Sequence, residues 1–117
     1  MHEPMIGRSP QLRQRSGDPN PLAWLLVCAA GEFNAQAPLS PDRSLVLGRE
    51  PGCDLILPYP RISRRHALVQ REVGGYVIRD LGSLYGVHVN NRRVTACRLR
   101  HNDLIELADT RLIFIAA

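Results

Sequence analysis

The sequence predicts an all-β sandwich of two mainly antiparallel sheets, and three observations carry that reading. From Glu32 onward short apolar runs recur about every ten positions and are separated by turn residues, the spacing of a sandwich. No window keeps a helical period over three turns, and Pro51, Pro58 and Pro60 would interrupt one. Gly74-Gly75 stands between Glu72-Val73 and Tyr76-Val77, where glycines accept the positive φ of the primed hairpin turns.

Taken in order, residues 1–20 are rich in Pro, Gly, Ser, Gln and Arg with little apolar content, so they are expected to form a flexible N-terminal tail. Residues 21–117 are expected to form one domain, since 117 residues support a single core that buries just under about 70% of the unfolded surface. The stretch Pro21–Ala30 follows three arginines and imitates a secretory leader. Asp18 and two prolines interrupt its approach and a large Val27 precedes Cys28, so a first buried strand is expected there instead. The later strands are expected at Ala37–Leu39, Ser44–Leu47, Asp54–Leu57, Ala67–Val69, Tyr76–Ile78, Val87–Val89, Asp103–Leu107 and Arg111–Ile115. Asn90-Asn91 before Arg92 is a second, weaker turn signal. There are no internal repeats.

Charge and cysteine usage remove several classes of function. Every one of the 15 basic residues is Arg, so each cationic contact can be a planar bidentate fork, which suits phosphate. The net charge of +4 would permit nucleic-acid binding, but the arginines are spread over the tail, the central loop and the end of the chain, with no helix to gather them into a basic face. Neither nucleic acid nor a membrane is expected as a partner, and no long apolar stretch suggests a span. Cys28, Cys53 and Cys97 are odd in number and far apart, with no C-x-x-C pair. They are expected to be reduced, mostly buried thiols of a cytoplasmic protein, with no metal site and no cofactor.

The polar residues concentrate in the middle of the chain. Arg49 ends the apolar run Leu45-Val46-Leu47, Ser63 precedes His66-Ala67-Leu68-Val69, and Ser83-Leu84-Tyr85-Gly86 precedes Val87. Three loops thus present a hydroxyl and several guanidinium groups at one end of a sheet, a binding rim on a rigid scaffold. The plain alternative for Arg49 is a solvated charge or an ion pair with Glu50 or Asp54. Arg65 alternates with Arg64 and is expected to point away. A Ser63-His66-Asp80 catalytic triad is not expected, because Ser63 lacks a nucleophile elbow and no oxyanion-hole loop is identifiable.

Gly48-Arg49, Ser63-Arg64-Arg65-His66, Asp80-Leu81-Gly82-Ser83 and Val89-Asn90 stand in the order and spacing of the forkhead-associated domain, which this chain resembles from about Trp24 to about Ile115. The resemblance implies an eleven-strand β-sandwich that recognises phosphothreonine peptides at one end, a signalling interaction module without catalytic activity. It implies phosphopeptide binding by Arg49, Ser63 and Arg64, with Ser83, Leu84 and Tyr85 completing the rim, and structural support of the loops by Gly48, His66, Gly86 and Asn90. It also implies a protein partner phosphorylated on threonine by a Ser/Thr kinase. One departure stands at Tyr85, which occupies the place of an asparagine that in the family hydrogen-bonds the bound peptide's backbone, while Leu84 replaces a position that can donate to phosphate. A scaffold that mediates phosphorylation-independent protein interaction or assembly, with Tyr85 as an interface anchor, is the alternative function.

Overall fold

The computed structural model describes residues 9–13, 21–29 and 32–116, the last span without the side chains of residues 32–34. Among the described residues twelve strands form two six-stranded sheets. In spatial order the first sheet holds β1 (Gln11–Leu12), β5 (Leu55–Ile56), β4 (Leu45–Gly48), β6 (Ala67–Glu72), β7 (Gly75–Asp80) and β10 (Ala96–Arg98). The second holds β3 (Glu32–Pro38), β2 (Ala23–Ala29), β12 (Thr110–Ala116), β11 (Leu104–Leu107), β8 (Val87–Val89) and β9 (Arg92–Val94). All neighbours are antiparallel except β4 and β5.

Alternation explains the layers. Along β2, Ala23, Leu25, Val27 and Ala29 are buried while Trp24, Leu26 and Cys28 stand on the outer face. Their partners on β12 follow suit, so Leu25 opposite Phe114 and Val27 opposite Leu112 face Leu45, Leu47, Val69 and Ile78 of the other sheet in one core. Tyr76 and Phe114 bring their rings together across the sheets at 5.9 Å in a tilted arrangement. The stretch that imitates a leader is therefore a core strand. No helix among the described residues is long and apolar enough to cross a membrane.

Register sets the loops. Leu47 pairs with Ala67, and Ala67 with Asp80, so the end of β4, the start of β6 and the end of β7 lie together. The loops after β4, after β5 and after β7 all open at that end. Asn90 and Asn91 take φ of 51° and 69° between the paired Val89 and Arg92, a two-residue turn with both central residues left-handed. The other hairpin is shifted by one residue from its expected place. Glu72 pairs with Gly75, so Val73-Gly74 make the turn and Gly75 already belongs to the ladder.

Two further details are minor differences from expectation. The strand beyond the implied eleven is β1: Gln11–Leu12, inside the stretch expected as a tail, pair with β5, and residues 1–8 and 14–20 of that stretch lie outside the described residues. Of the three thiols, all free, Cys53 is fully buried while Cys28 and Cys97 are half-buried, because the latter two sit on outward or edge positions of β2 and β10.

Candidate functional site

The rim is built on two loops zipped together. Arg49 N–H donates to the Ser63 carbonyl at 3.0 Å, Glu50 N–H to the Arg64 carbonyl at 3.1 Å, and His66 N–H to the Leu47 carbonyl at 2.8 Å. Such close approach requires Gly48: a Cβ there would overlap the Arg64 carbonyl oxygen and come within 2.8 Å of Cys53 Sγ. Cys53 Sγ itself donates to the Arg64 carbonyl at 3.1 Å. Burial pushes the Cys53 thiol above the ordinary cysteine range.

His66 joins this pair of loops to the third. Its ring is completely buried. Nδ1 accepts from Ser63 N–H at 3.0 Å and Nε2 donates to the Gly86 carbonyl at 2.8 Å, two partners that fix the neutral tautomer with hydrogen on Nε2. The third loop is then braced internally. Ser83 N–H donates to Asp80 Oδ1 at 2.8 Å, Gly86 N–H to Ser83 Oγ at 3.0 Å, and Leu81 N–H to the His66 carbonyl at 3.0 Å. Gly86 takes φ of 85° to turn the chain into β8.

On this frame the outward groups are donors. Arg49 Nε donates to the Ile62 carbonyl at 3.0 Å, which fixes the guanidinium and leaves its two terminal nitrogens for a ligand. Ser63 Oγ accepts from Leu84 N–H at 3.1 Å and keeps its own O–H to give away. Arg64 is held by its carbonyl while its exposed guanidinium has no partner among the described residues. Leu84 is 76% and Tyr85 48% exposed on the same rim. Arg61 and Arg65 are exposed beside them, so the rim carries an excess of positive charge suited to a compact anion.

The structure thus gathers Arg49, Ser63, Arg64, Leu84 and Tyr85 at one end, over Gly48, His66 and Gly86. Ser83 differs from expectation: it is buried and its hydroxyl is turned inward to cap Gly86 N–H, so it supports the loop and does not face a ligand. Asn90 braces a loop, but at the far end of β8 from Gly86, where its side chain donates to Asp103 Oδ1 at 2.9 Å and accepts from Leu104 N–H at 3.0 Å. Ser63, His66 and Asp80 form no relay, since Ser63 meets the imidazole through its backbone N–H and the Asp80 carboxylate serves Ser83. Sequence reasoning passed over Cys53 and Arg93. Only the hairpin register, His88 opposite Arg93, lays the latter's guanidinium over Gly86, where its Nε would lie 2.6 Å from an added Cβ.

Comparison with known proteins places the chain in a family. The FHA (forkhead-associated) domain model matches residues 45–108. The oxoglutarate dehydrogenase inhibitor of Corynebacterium diphtheriae is 36% identical over 94 residues, covering 80% of this chain and 65% of that protein. The glycogen accumulation regulator GarA of Mycolicibacterium smegmatis is 37% identical over 91 residues, covering 78% of this chain and 58% of GarA. The chain therefore spans about three-fifths of the length of these curated relatives. Among solved structures, Mycobacterium tuberculosis EmbR in complex with a low-affinity phosphopeptide matches with a TM-score of 0.73 and 31% identity, over 83% of this chain and 25% of EmbR. Since the matched family span covers more than half of the chain and encloses every loop of the rim, the chain belongs to the FHA domain family.

Proposed function

We propose that this chain is a phosphopeptide-recognition module that binds threonine-phosphorylated protein partners, marked by a Ser/Thr kinase, through the loops that follow β4, β5 and β7. The observation that carries the reading is the pair of donors on adjoining loops: Arg49, pinned through Nε, and Ser63, whose oxygen accepts from Leu84 N–H and whose own O–H remains free to donate. A phosphate near pH 7 carries about −1.5 to −2 charges and three acceptor oxygens, and hydrogen bonds to a charged group contribute about 1.5–3 kcal/mol each. EmbR supports the reading through its phosphopeptide complex, and so does a 25% identical structure described by its phosphothreonine-dependent FHA domain interactions. The names of the curated relatives, an inhibitor and a regulator, fit a cytoplasmic protein that acts by binding and not by catalysis.

The test is calorimetry with a phosphothreonine peptide and its unphosphorylated counterpart. Arg49→Ala is expected to weaken the phosphorylated peptide by at least about 2 kcal/mol, roughly 30-fold, without lowering Tm. Ser63→Ala should act in the same direction but less, because its hydroxyl is neutral and replaceable by water. A second reading rests on Leu81, Leu84 and Tyr85, three exposed large apolar side chains on one loop, which suit a constitutive protein interface. Equal affinity for the two peptides would select it.

A further inference from the structure

A second site lies on the flank of the first sheet. β5 is two residues long and pairs with β4 on one side only, so its other edge would leave backbone N–H and C=O groups without partners. The chain covers that edge with β1, in the register Gln11 opposite Ile56 and Leu12 opposite Leu55. Arg13 extends the contact twice. Its N–H donates to the Asp54 carbonyl at 2.6 Å, and its guanidinium reaches the Pro51 carbonyl. The Arg13 side chain also forms part of the wall of an open cleft of about 680 Å³, together with Asp42, Arg43, Ser44 and Asp54. The Pro51 carbonyl and the Asp42 carboxylate suit a cationic fork, while Arg43 stands on the same wall and Asp54 Oδ2 accepts from Val46 N–H at 2.8 Å.

The present occupant is held lightly. Ser9, Gln11, Leu12 and Arg13 are exposed, so the segment docks through backbone and one side chain and buries little apolar surface. What favours it is that it belongs to the same chain, because an intramolecular segment can compete at an effective concentration in the millimolar range.

We propose that the β5 edge and its adjoining cleft form a docking site for an extended peptide bearing an arginine, closed in cis by the chain's own Ser9–Arg13. The peptide adds a strand to β5, its backbone supplies affinity, and the arginine placed in the cleft supplies selectivity. The site shares the β4–β5 loop with the phosphate rim: Arg49 opens that loop and Asp54 closes it, so one partner chain can engage both places.

The test uses the full chain and a synthetic peptide of its residues 8–14, followed by amide NMR. In the parent the tail holds the edge, and the signals of Asp54, Leu55 and Ile56 should respond only at several millimolar peptide. Arg13→Pro removes the N–H and the guanidinium together, and the same signals should then saturate at a concentration at least about fivefold lower, with Leu84 unmoved. Replacing the peptide's Arg13 by alanine, with Arg8 kept, should raise that concentration at least about fivefold. If Arg13→Pro lowers Tm, Arg13→Ala, which keeps the backbone donor, must show the same ordering with a smaller gain. The proposal is overturned if peptide produces no saturable shift at Leu55 and Ile56 in either variant, or if the alanine peptide binds as well as the arginine one.

Discussion

Gly48→Ala tests the zipped loops more directly than removal of any ligand contact. Gly48 is not among the residues with positive φ, so alanine suits its backbone and only space decides the outcome. The new methyl would overlap the Arg64 carbonyl oxygen, an atom that receives both Glu50 N–H and Cys53 Sγ at 3.1 Å. Overpacking of this kind costs about 1–3 kcal/mol. Weakening the Glu50–Arg64 hydrogen bond adds about 0.5–1.5 kcal/mol. A loss of about 2–4 kcal/mol corresponds to a Tm lower by roughly 8–16 °C in a domain of this size. Since Arg49 and Ser63 sit on the two loops being forced apart, phosphopeptide affinity should fall as well. Gly82→Ala is the control: Gly82 has φ of 80° with nothing within 4 Å of an added Cβ, so it should lose only about 1–2 kcal/mol and leave the loops in place. A Gly48→Ala chain that melts and binds like the parent would refute the account of the rim as two loops in backbone contact.

Three further outcomes are expected. His66→Ala should destabilise by about 3–5 kcal/mol, since a buried ring is lost and both Ser63 N–H and the Gly86 carbonyl lose their partner; an unchanged melting temperature with abolished binding would contradict the bracing role. Tyr85→Asn should tighten phosphopeptide binding by roughly 0.5–1.5 kcal/mol, because an amide carries donors and an acceptor where the phenol has one hydroxyl; weaker binding in calorimetry would make Tyr85 itself a contact. Iodoacetamide at pH 8 should modify Cys28 and Cys97 in the folded chain but Cys53 only in urea, and urea midpoints should fall as pH rises above about 8.5, because the unfolded Cys53 thiol then loses a proton that the folded one retains. Equal labelling of all three thiols would place Cys53 outside the core.

What the sequence made legible follows from where its patterns are imposed. β2 and β12 are continuous apolar runs bounded by polar or turn residues, because both lie in the middle of a sheet against the core, so both were readable. β9 and β10 were not, since Arg92-Arg93-Val94 and Ala96-Cys97-Arg98 sit on sheet edges where burial imposes no alternation. β1 exists only because β5 offers it an edge, a tertiary cause that Gln11-Leu12 cannot announce. At the site, spacing located Arg49, Ser63 and His66, but orientation depends on contacts across loops. Ser83 turns inward because Gly86 N–H lies three residues on and needs an acceptor. Asn90 braces the distant turn because the pairing of Val87 with Val94 carries β8 away from the rim.

The frame and the ligand-facing surface use different parts of the same residues, which makes Ser63 the point where they meet. Arg64 is anchored by its carbonyl and Leu84 by its N–H, so their side chains can change without loosening the loops. Arg49 is anchored by Nε and presents its other nitrogens. Ser63 has a single hydroxyl for both tasks. Accepting from Leu84 N–H occupies one lone pair and disfavours turning the hydroxyl hydrogen toward that donor, which narrows the orientations the O–H can take before any ligand arrives. Pre-orientation of this kind removes part of the ordering cost of binding. It also couples the third loop to ligand capture, because a phosphate oxygen that accepts from Ser63 polarises Oγ and strengthens its hold on Leu84.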